Sequence, residues 1–231
     1  MSILEITMEN ECINRLLSGG FKSKNLYHIF GAEGSGKTTF GLYLAYLVAK
    51  KGFKIFYLSS TRNFNLIRLK QIAGDSFLDI SQLIFVQNPK NFLEQDKIVN
   101  KLENFITEKF KLIVIDDIVS LMKEKSKIDS KRLLKSRMLS RQLALLKNIS
   151  RNYDIISVIL NQSSINKDED SGELKNVPFY KAVVTFYSDF DLEIIQSQEN
   201  SLSNRKLKRI KPENQDISNI CKFQLDNKGI I

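Results

Sequence analysis

The chain has 231 residues, 42% of them hydrophobic and 26% charged, and its 35 Lys and Arg against 26 Asp and Glu give a formal net charge of +9. That balance excludes a disordered chain or a small cysteine-stapled scaffold and leaves room for one sizeable α/β domain, taken here as residues 1–231 without internal repeat or linker. No apolar run approaches the roughly 18 residues of a membrane span. The first residues lack a signal-peptide pattern, so a cytoplasmic protein without membrane contact is expected. The basic excess tilts it towards polyanionic partners, although a composition rich in Lys, Ile, Asn and Phe also follows from an AT-rich genome.

In chain order, Cys12 to Leu17 reads as a short helix stopped at Gly19-Gly20. Cys12 and Cys221 lie near opposite ends with no second pair, and are read as reduced packing residues. Leu26 to Phe30 is a strand, and Thr39 to Lys50 a helix that ends before Gly52. Between them, Gly31-Ala32-Glu33-Gly34-Ser35-Gly36-Lys37-Thr38 fits the phosphate-loop pattern G-x-x-x-x-G-K-[ST] at each of its fixed positions.

Lys54 to Leu58 is a second strand, followed by the polar loop Ser59-Ser60-Thr61-Arg62-Asn63. Asn65 to Ala73 has helical spacing, and Leu83 to Val86 is a third strand. An amphipathic helix is predicted from Asp96 to Lys109, and the most apolar strand, Leu112 to Ile115, runs into Asp116-Asp117. Ser130 to Asn152 is predicted as a long helix with Leu134, Met138, Leu145 and Ile149 on its apolar side. Ile155 to Leu160 is the next strand, with Asn161-Gln162 at its end, and residues 163–177, polar and charged with no hydrophobic period, read as a mobile loop. Ala182 to Phe186, Leu192 to Ile195 and Phe223 to Leu225 read as strands of a C-terminal antiparallel extension. Strands alternating with helices imply right-handed βαβ units and a mainly parallel twisted sheet covered on both faces.

The chemistry centres on the Gly-rich loop. A triphosphate needs several backbone N–H donors converging on it, which glycines allow by leaving the approach open. The helix N-terminus adds unpaired N–H groups and the positive end of its dipole. Gly31, Ala32, Glu33, Gly34, Ser35, Gly36, Lys37, Thr38 and Thr39 are therefore expected to hold the phosphates of a nucleotide, with Lys37 on the β- and γ-phosphates. Thr38 and Asp116, the carboxylate ending the apolar strand, are expected to share one Mg²⁺. Hydrolysis also needs a group that orients water, commonly a Glu or Gln, and the loop after Leu58 holds Ser59, Ser60 and Thr61 instead. A guanine reader would carry Asn-Lys-x-Asp after a strand. Asn166-Lys167-Asp168-Glu169 has its acids out of register, so ATP is the expected nucleotide.

These residues resemble the RecA-type recombinase superfamily and, within it, the RadB family of archaeal recombinase paralogues, over nearly the whole chain. Leu16 to Phe21 is similar to the Leu-Leu-Gly-Gly-Gly-Ile element that precedes the family's phosphate loop, and Tyr57 to Leu69 keeps Phe64, Arg68 and Leu69 of a conserved segment. Leu112 to Asp116 resembles Leu-Ile-Val-Ile-Asp, Arg141-Gln142-Leu143 falls in the following helix, and Asn161-Gln162 matches the pair that senses nucleotide state. Arg209-Ile210-Lys211-Pro212-Glu213 resembles a C-terminal RadB element, with Lys208 in place of His and Leu207 in place of Lys. The resemblance implies a RecA-like P-loop NTPase core without the N-terminal DNA-binding domain of the main recombinase RadA. It places the family's catalytic Glu at Thr61, which cannot act as a base near neutral pH. Gln162 becomes the candidate nucleotide sensor.

A weak ATPase that binds single-stranded or branched DNA without strand exchange is thus implied. Its implied associates are RadA and a junction-cleaving nuclease, and a homo-oligomer is a separate expectation. Two basic runs are candidate DNA contacts: Lys123, Lys125, Lys127, Lys131 and Arg132 after the Asp116 strand, and Arg205, Lys206, Lys208, Arg209 and Lys211 near the C-terminus. The competing reading is an ATP-switched scaffold of the KaiC-like or archaellum-accessory kind, which would not act on DNA. A small-molecule phosphotransferase is disfavoured because no acceptor pocket or lid with paired Arg can be identified.

Overall fold

The computed structural model describes residues 3–60, 64–122, 129–167, 174–197, 203–212 and 219–231, the side chains of residues 129–132, 167 and 174 excepted. In chain order the elements are β1 (Glu5–Ile6), α1 (Glu11–Leu16), β2 (Phe21–Lys22), β3 (Leu26–Gly31), α2 (Lys37–Lys50), β4 (Lys54–Ser59), α3 (Leu66–Ala73), α4 (Phe77–Ser81) and β5 (Ile84–Gln87). They continue as α5 (Phe92–Lys101), β6 (Phe110–Asp116), α6 (Asp129–Asn152), β7 (Ile156–Lys167), β8 (Leu174–Pro178), α7 (Lys181–Tyr187), β9 (Phe190–Gln196), β10 (Asn204–Lys211), β11 (Ile220–Asp226) and β12 (Gly229–Ile230).

One sheet runs β12-β11-β10-β9-β3-β7-β6-β4-β5, with β8 paired to the far part of β7. From β9 to β5 the neighbours are parallel, and from β9 to β12 they are antiparallel. Strand β3 lies inside the parallel part and is buried at every position, as a strand covered on both faces requires. Helices α1 to α4 pack on one face, where Phe40, Leu44, Leu69 and Ile80 meet Ile29, Val114 and Leu160. Helices α5 to α7 cover the other, where Val99, Leu143, Leu146 and Val184 meet Leu26, Ile113 and Ile159. The expected mainly parallel sheet with an antiparallel C-terminal extension is present.

Several local expectations are corrected. Residues 163–167 continue β7 and pair with β8, so the predicted loop is a hairpin in its described part. Its residues are mostly polar, which erases the period-2 signal although the backbone ladder forms. Ala182 to Phe186 lies in helix α7. Its Val, Thr and aromatic residues favour strands, but that preference is a weak prior that packing overrides. Leu192 to Ile195 is a strand but runs parallel to β3, so the antiparallel extension starts only at β10.

Helix α5 starts at Phe92, ahead of the predicted Asp96, because Asn91 caps it by accepting from Glu94 N while Glu94 Oε2 accepts from Lys90 N. It ends at Lys101, short of the predicted Lys109. The buried stripe of α6 is Leu139, Leu143, Leu146 and Ile149, whereas Leu134 is exposed. Cys12 and Cys221, read as separate reduced residues, form a disulfide with their Cα atoms 5.7 Å apart. Sequence separation conceals this pairing, since only the packing of α1 against β11 makes the two neighbours. Among the described residues no helix is long and apolar enough to cross a membrane.

Candidate nucleotide-phosphate site

The loop leaves the end of β3 and enters α2 at Lys37, with Gly36 as its left-handed N-cap at φ 103°. A Cβ at Gly36 would be strained by that φ and would run into Leu225 of β11. One at Gly31 would run into Ile194 O and Ser35 Oγ, so the loop is seated against β9 as well. Lys37 Nζ folds over the loop, donating to Gly31 O at 3.0 Å and Ala32 O at 2.8 Å. Its ammonium therefore stands at the mouth of the loop, beside the open N-terminus of a 14-residue helix.

Below it, Thr38 Oγ1 donates to Asp116 Oδ1 at 3.2 Å, and Tyr57 OH donates to Asp116 Oδ2 at 2.9 Å. Asp116 is 5% exposed. Burial raises its pKa above the usual carboxylate value and the nearby Asp117 adds to this, against the bonds from Tyr57 and Thr38 and the charge of Lys37. Burial, followed by the charge of Asp116, pushes the Tyr57 phenol well above its ordinary value. Tyr57 thus holds one carboxylate oxygen and leaves the other facing Thr38. A pair of hard oxygens on one side of a phosphate-binding loop fits Mg²⁺, which takes one or two protein ligands and completes its shell with phosphate oxygens and water.

Asp117 serves the backbone: its oxygens accept from Val119 N and Gln162 N, both at 2.8 Å. The Asp116–Asp117 peptide is cis. Gln162 lies in register with Gly31, so the predicted sensor is brought to the loop, although β7 runs on past it. Ser59 is in register with Asp116, and Ser60 N donates to Asp116 O at 2.6 Å. Thr61 lies outside the described residues.

Behind Ser60 is a polar network that sequence reasoning missed. Ser60 Oγ donates to Gln95 Oε1 at 3.3 Å, and Gln95 Nε2 donates to Ile118 O and Gln142 Oε1, both at 3.0 Å. Gln142 Nε2 reaches Asp96 Oδ1 at 3.1 Å, and Asp96 also pairs with Arg141. The Asn91…Glu94 capping signal could have revealed that Gln95 belongs to a helix.

The second basic run is corrected in part. Arg205, expected on DNA, is 7% exposed and turned inward: its Nε donates to Ser35 O at 2.8 Å and its Nη2 to Gly34 O at 3.4 Å. By fixing those two carbonyls it holds the loop from beneath. Arg209 is also buried, donating to Leu16 O at 2.7 Å, and Lys211 Nζ donates to Thr185 O and Ser188 O at 2.7 and 2.6 Å. Arg205 and Arg209 alternate with Lys206 and Lys208 along β10, which lie on the opposite face at intermediate exposure, while a register shift after Arg209 turns Lys211 away from the two arginines. Lys206 is directly opposite the exposed Lys222 of β11, beside a cavity of about 310 Å³ that Asn204, Gln224 and Ile231 also line. Of the first run, Lys123, Lys125 and Lys127 lie outside the described residues, as do the side chains of Lys131 and Arg132.

Arg68 of α3, predicted only as a residue kept by resemblance, completes the surround. Its Nε donates to Thr39 Oγ1 at 3.4 Å and its guanidinium also donates to Asp226 O, tying α2 to the β11–β12 turn.

The sequence matches the Rad51 family profile over residues 1–230. It is 34% identical over 206 residues to the DNA repair and recombination protein RadB of Methanobrevibacter smithii, covering 87% of this chain and 85% of the relative. It is 31% identical to the RadB of Methanosphaera stadtmanae, covering 96% and 94% of the two chains, and 31% identical to that of Methanococcoides burtonii, covering 94% and 93%. The phosphate loop, the buried Asp116 beside it and these matches along nearly the full length lead to one assignment: the chain belongs to the RadB group of the RecA-like Rad51 family.

Proposed function

We propose that this protein is an ATP- and DNA-binding accessory factor of DNA repair and homologous recombination, a nucleotide sensor more than a motor. The observation that carries the reading is the pair Thr38 and Asp116 set beneath the Lys37 ammonium, in a loop anchored by Arg205. Residues 31–39 hold the phosphates, and Thr38 and Asp116 hold Mg²⁺. Bound Mg²⁺ supplies charge neutralisation at the β- and γ-phosphate oxygens. The chain's part is to converge N–H donors, to place Lys37 on the γ-phosphate side and to bring Gln162 to the first residue of the loop.

Thr61 stands where the resemblance puts a catalytic Glu, and loss of an oriented base lowers a rate by about two to four powers of ten. Turnover is accordingly very slow and does not depend on DNA, and the protein performs no strand exchange of its own. Single-stranded or branched DNA binds without sequence preference through Lys206, Lys208 and Lys222, together with Lys123, Lys125, Lys127, Lys131 and Arg132. Opposed like charges such as Lys206 and Lys222 are unfavourable until an anion neutralises them. In the cytoplasm the protein acts beside RadA and a junction-cleaving nuclease, modulating cleavage of branched DNA, as a single RecA-like domain that can self-associate.

Single-stranded and branched DNA titrated with and without Mg·ATP, with phosphate release measured in the same samples, tests this reading. Expected are ATP binding, salt-sensitive DNA binding and slow release that DNA leaves unchanged. DNA affinity that does not weaken from low to moderate salt removes the electrostatic picture, and absence of DNA binding favours the ATP-switched scaffold. Thr61→Glu is expected to accelerate release at unchanged ATP affinity; no acceleration means that position 61 is not the catalytic one.

A further inference from the structure

His28, the one histidine of the chain, lies in the middle of β3 and is 0% exposed. The ring faces the side of the sheet opposite α2, between two polar partners. Nδ1 is 2.9 Å from Asp191 Oδ1 of β9, and Nε2 is 3.3 Å from Asn161 Nδ2 of β7. Asp191 is in register with His28, and Asn161 is the residue before the candidate sensor. Burial opposes ionisation of Asp191, but the bond from His28, the charge of that ring when protonated, and the bonds from Ser188 and Thr185 outweigh it and hold its carboxyl below the usual range.

An ionised carboxylate only accepts, so the proton of the ring is on Nδ1. In the neutral ring Nε2 is then an acceptor, and Asn161 meets it with an N–H. The other Asn161 proton goes to Phe179 O at 2.9 Å, while Asn161 Oδ1 is buried with no partner among the described residues. A flipped amide would set oxygen against both the Nε2 lone pair and the Phe179 carbonyl, so the ring tautomer dictates the amide orientation. Phe179 N in turn donates to Gln162 O at 3.1 Å, and Gln162 N donates to Asp117 Oδ2 at 2.8 Å. A continuous set of bonds thus runs from a histidine in the phosphate-loop strand to the backbone of Gln162, next to Gly31 and bonded to Asp117.

We propose that His28 is a positioning residue for the nucleotide site: as its Nδ1–H tautomer it orients Asn161 and, through Phe179, fixes the main chain at Gln162, which discriminates ATP from ADP. This rests on the nucleotide reading above, with Gln162 as its sensor. His28 touches neither nucleotide nor metal, and its effect passes wholly through Asn161.

A single histidine makes the ring nitrogens unambiguous in ¹H–¹⁵N correlation spectra of the nucleotide-free protein. The expected result is protonation at Nδ1 and a bare Nε2, whose resonance moves on adding Mg with a slowly hydrolysed ATP analogue and moves less with Mg·ADP. In parallel, affinities for the analogue and for ADP are measured on His28→Leu, His28→Gln and Asn161→Ala, with melting temperatures to confirm folding. His28→Leu is expected to lower the ATP-over-ADP preference about tenfold, the scale of one buried hydrogen bond. His28→Gln, which keeps a donor and an acceptor, restores most of it, and Asn161→Ala repeats the loss even if His28→Leu fails to fold. A ring protonated at Nε2, or a folded His28→Leu or Asn161→Ala that keeps the wild-type preference, overturns the proposal. Failure of the unaltered protein to bind either nucleotide overturns the site reading first, and is distinguished by that control.

Discussion

The phosphate loop and strand β10 are both stretches with a reading written into their residues, yet the fold treats them differently. Lys37 and Thr38 lie where their pattern predicts, because the relation between loop, helix N-terminus and lysine spans only a few residues. In β10, strand alternation divides one run of charge into two sets. Arg205 and Arg209 turn inward to backbone carbonyls, and Lys206 and Lys208 take the other face. Charge on a strand has therefore no single function, and the face decides it.

The sharpest way to break this comparison is at Lys37. Lys37→Ala is expected to weaken Mg·ATP binding about a hundredfold, the scale of removing a charge-assisted hydrogen bond to phosphate, while leaving DNA affinity in the absence of nucleotide unchanged. Calorimetric titration checks it. A comparable loss of DNA affinity would mean that the two regions are not separate.

Arg205→Met comes next. It strands Gly34 O and Ser35 O, at a stability cost of about 1–3 kcal/mol, and is expected to weaken nucleotide binding about tenfold through a loosened loop. Thermal melts and the same titration read both effects. The informative contrast is Lys206→Gln with Lys222→Gln, which should leave nucleotide affinity intact and reduce the salt slope of single-stranded DNA binding by about 1.4, or 0.7 for each phosphate no longer neutralised. If Arg205→Met instead changed the salt slope, its inward role would be wrong.

Asp116→Asn has the smallest effect on the fold and the opposite sign. The raised folded-state pKa of Asp116 means that its contribution to stability is present below the unfolded carboxylate pKa and is lost as pH rises through the folded one. At neutral pH the ionised group therefore costs stability. The amide should raise the melting temperature by a few degrees, about 2–4 °C per kcal/mol recovered at this chain length, and it should narrow the stability difference between mildly acidic and neutral pH. The same variant should lose the Mg²⁺ dependence of ATP affinity. A site that destabilises the apoprotein in exchange for binding is the expected signature of function.

Much of the site was legible from residues alone, and the exceptions share a cause. The loop and the apolar strand ending at Asp116 could be read because each is a short local pattern, whereas the Asn161-Gln162 pair was marked only by the family resemblance. Tyr57 looked like one more apolar strand residue until β4 was seen beside β6, where its hydroxyl meets Asp116. Gln95 fell outside a helix predicted to start one residue later, although Asn91 and Glu94 marked the true start. The hairpin of β7 and β8 gave no periodic signal because its residues are mostly polar.

What the sequence determined by itself was the alternation of strands and helices, the phosphate-loop pattern at 31–38 and the resemblance to a recombinase family. Each rests on relations within a few residues, or on a long match that accumulates them. The tertiary structure alone decided which basic residues face the loop, that Cys12 meets Cys221, and that His28, Asp191 and Asn161 form one buried set. Those partners lie far apart along the chain, and only sheet order and register bring them within hydrogen-bonding or bonding distance.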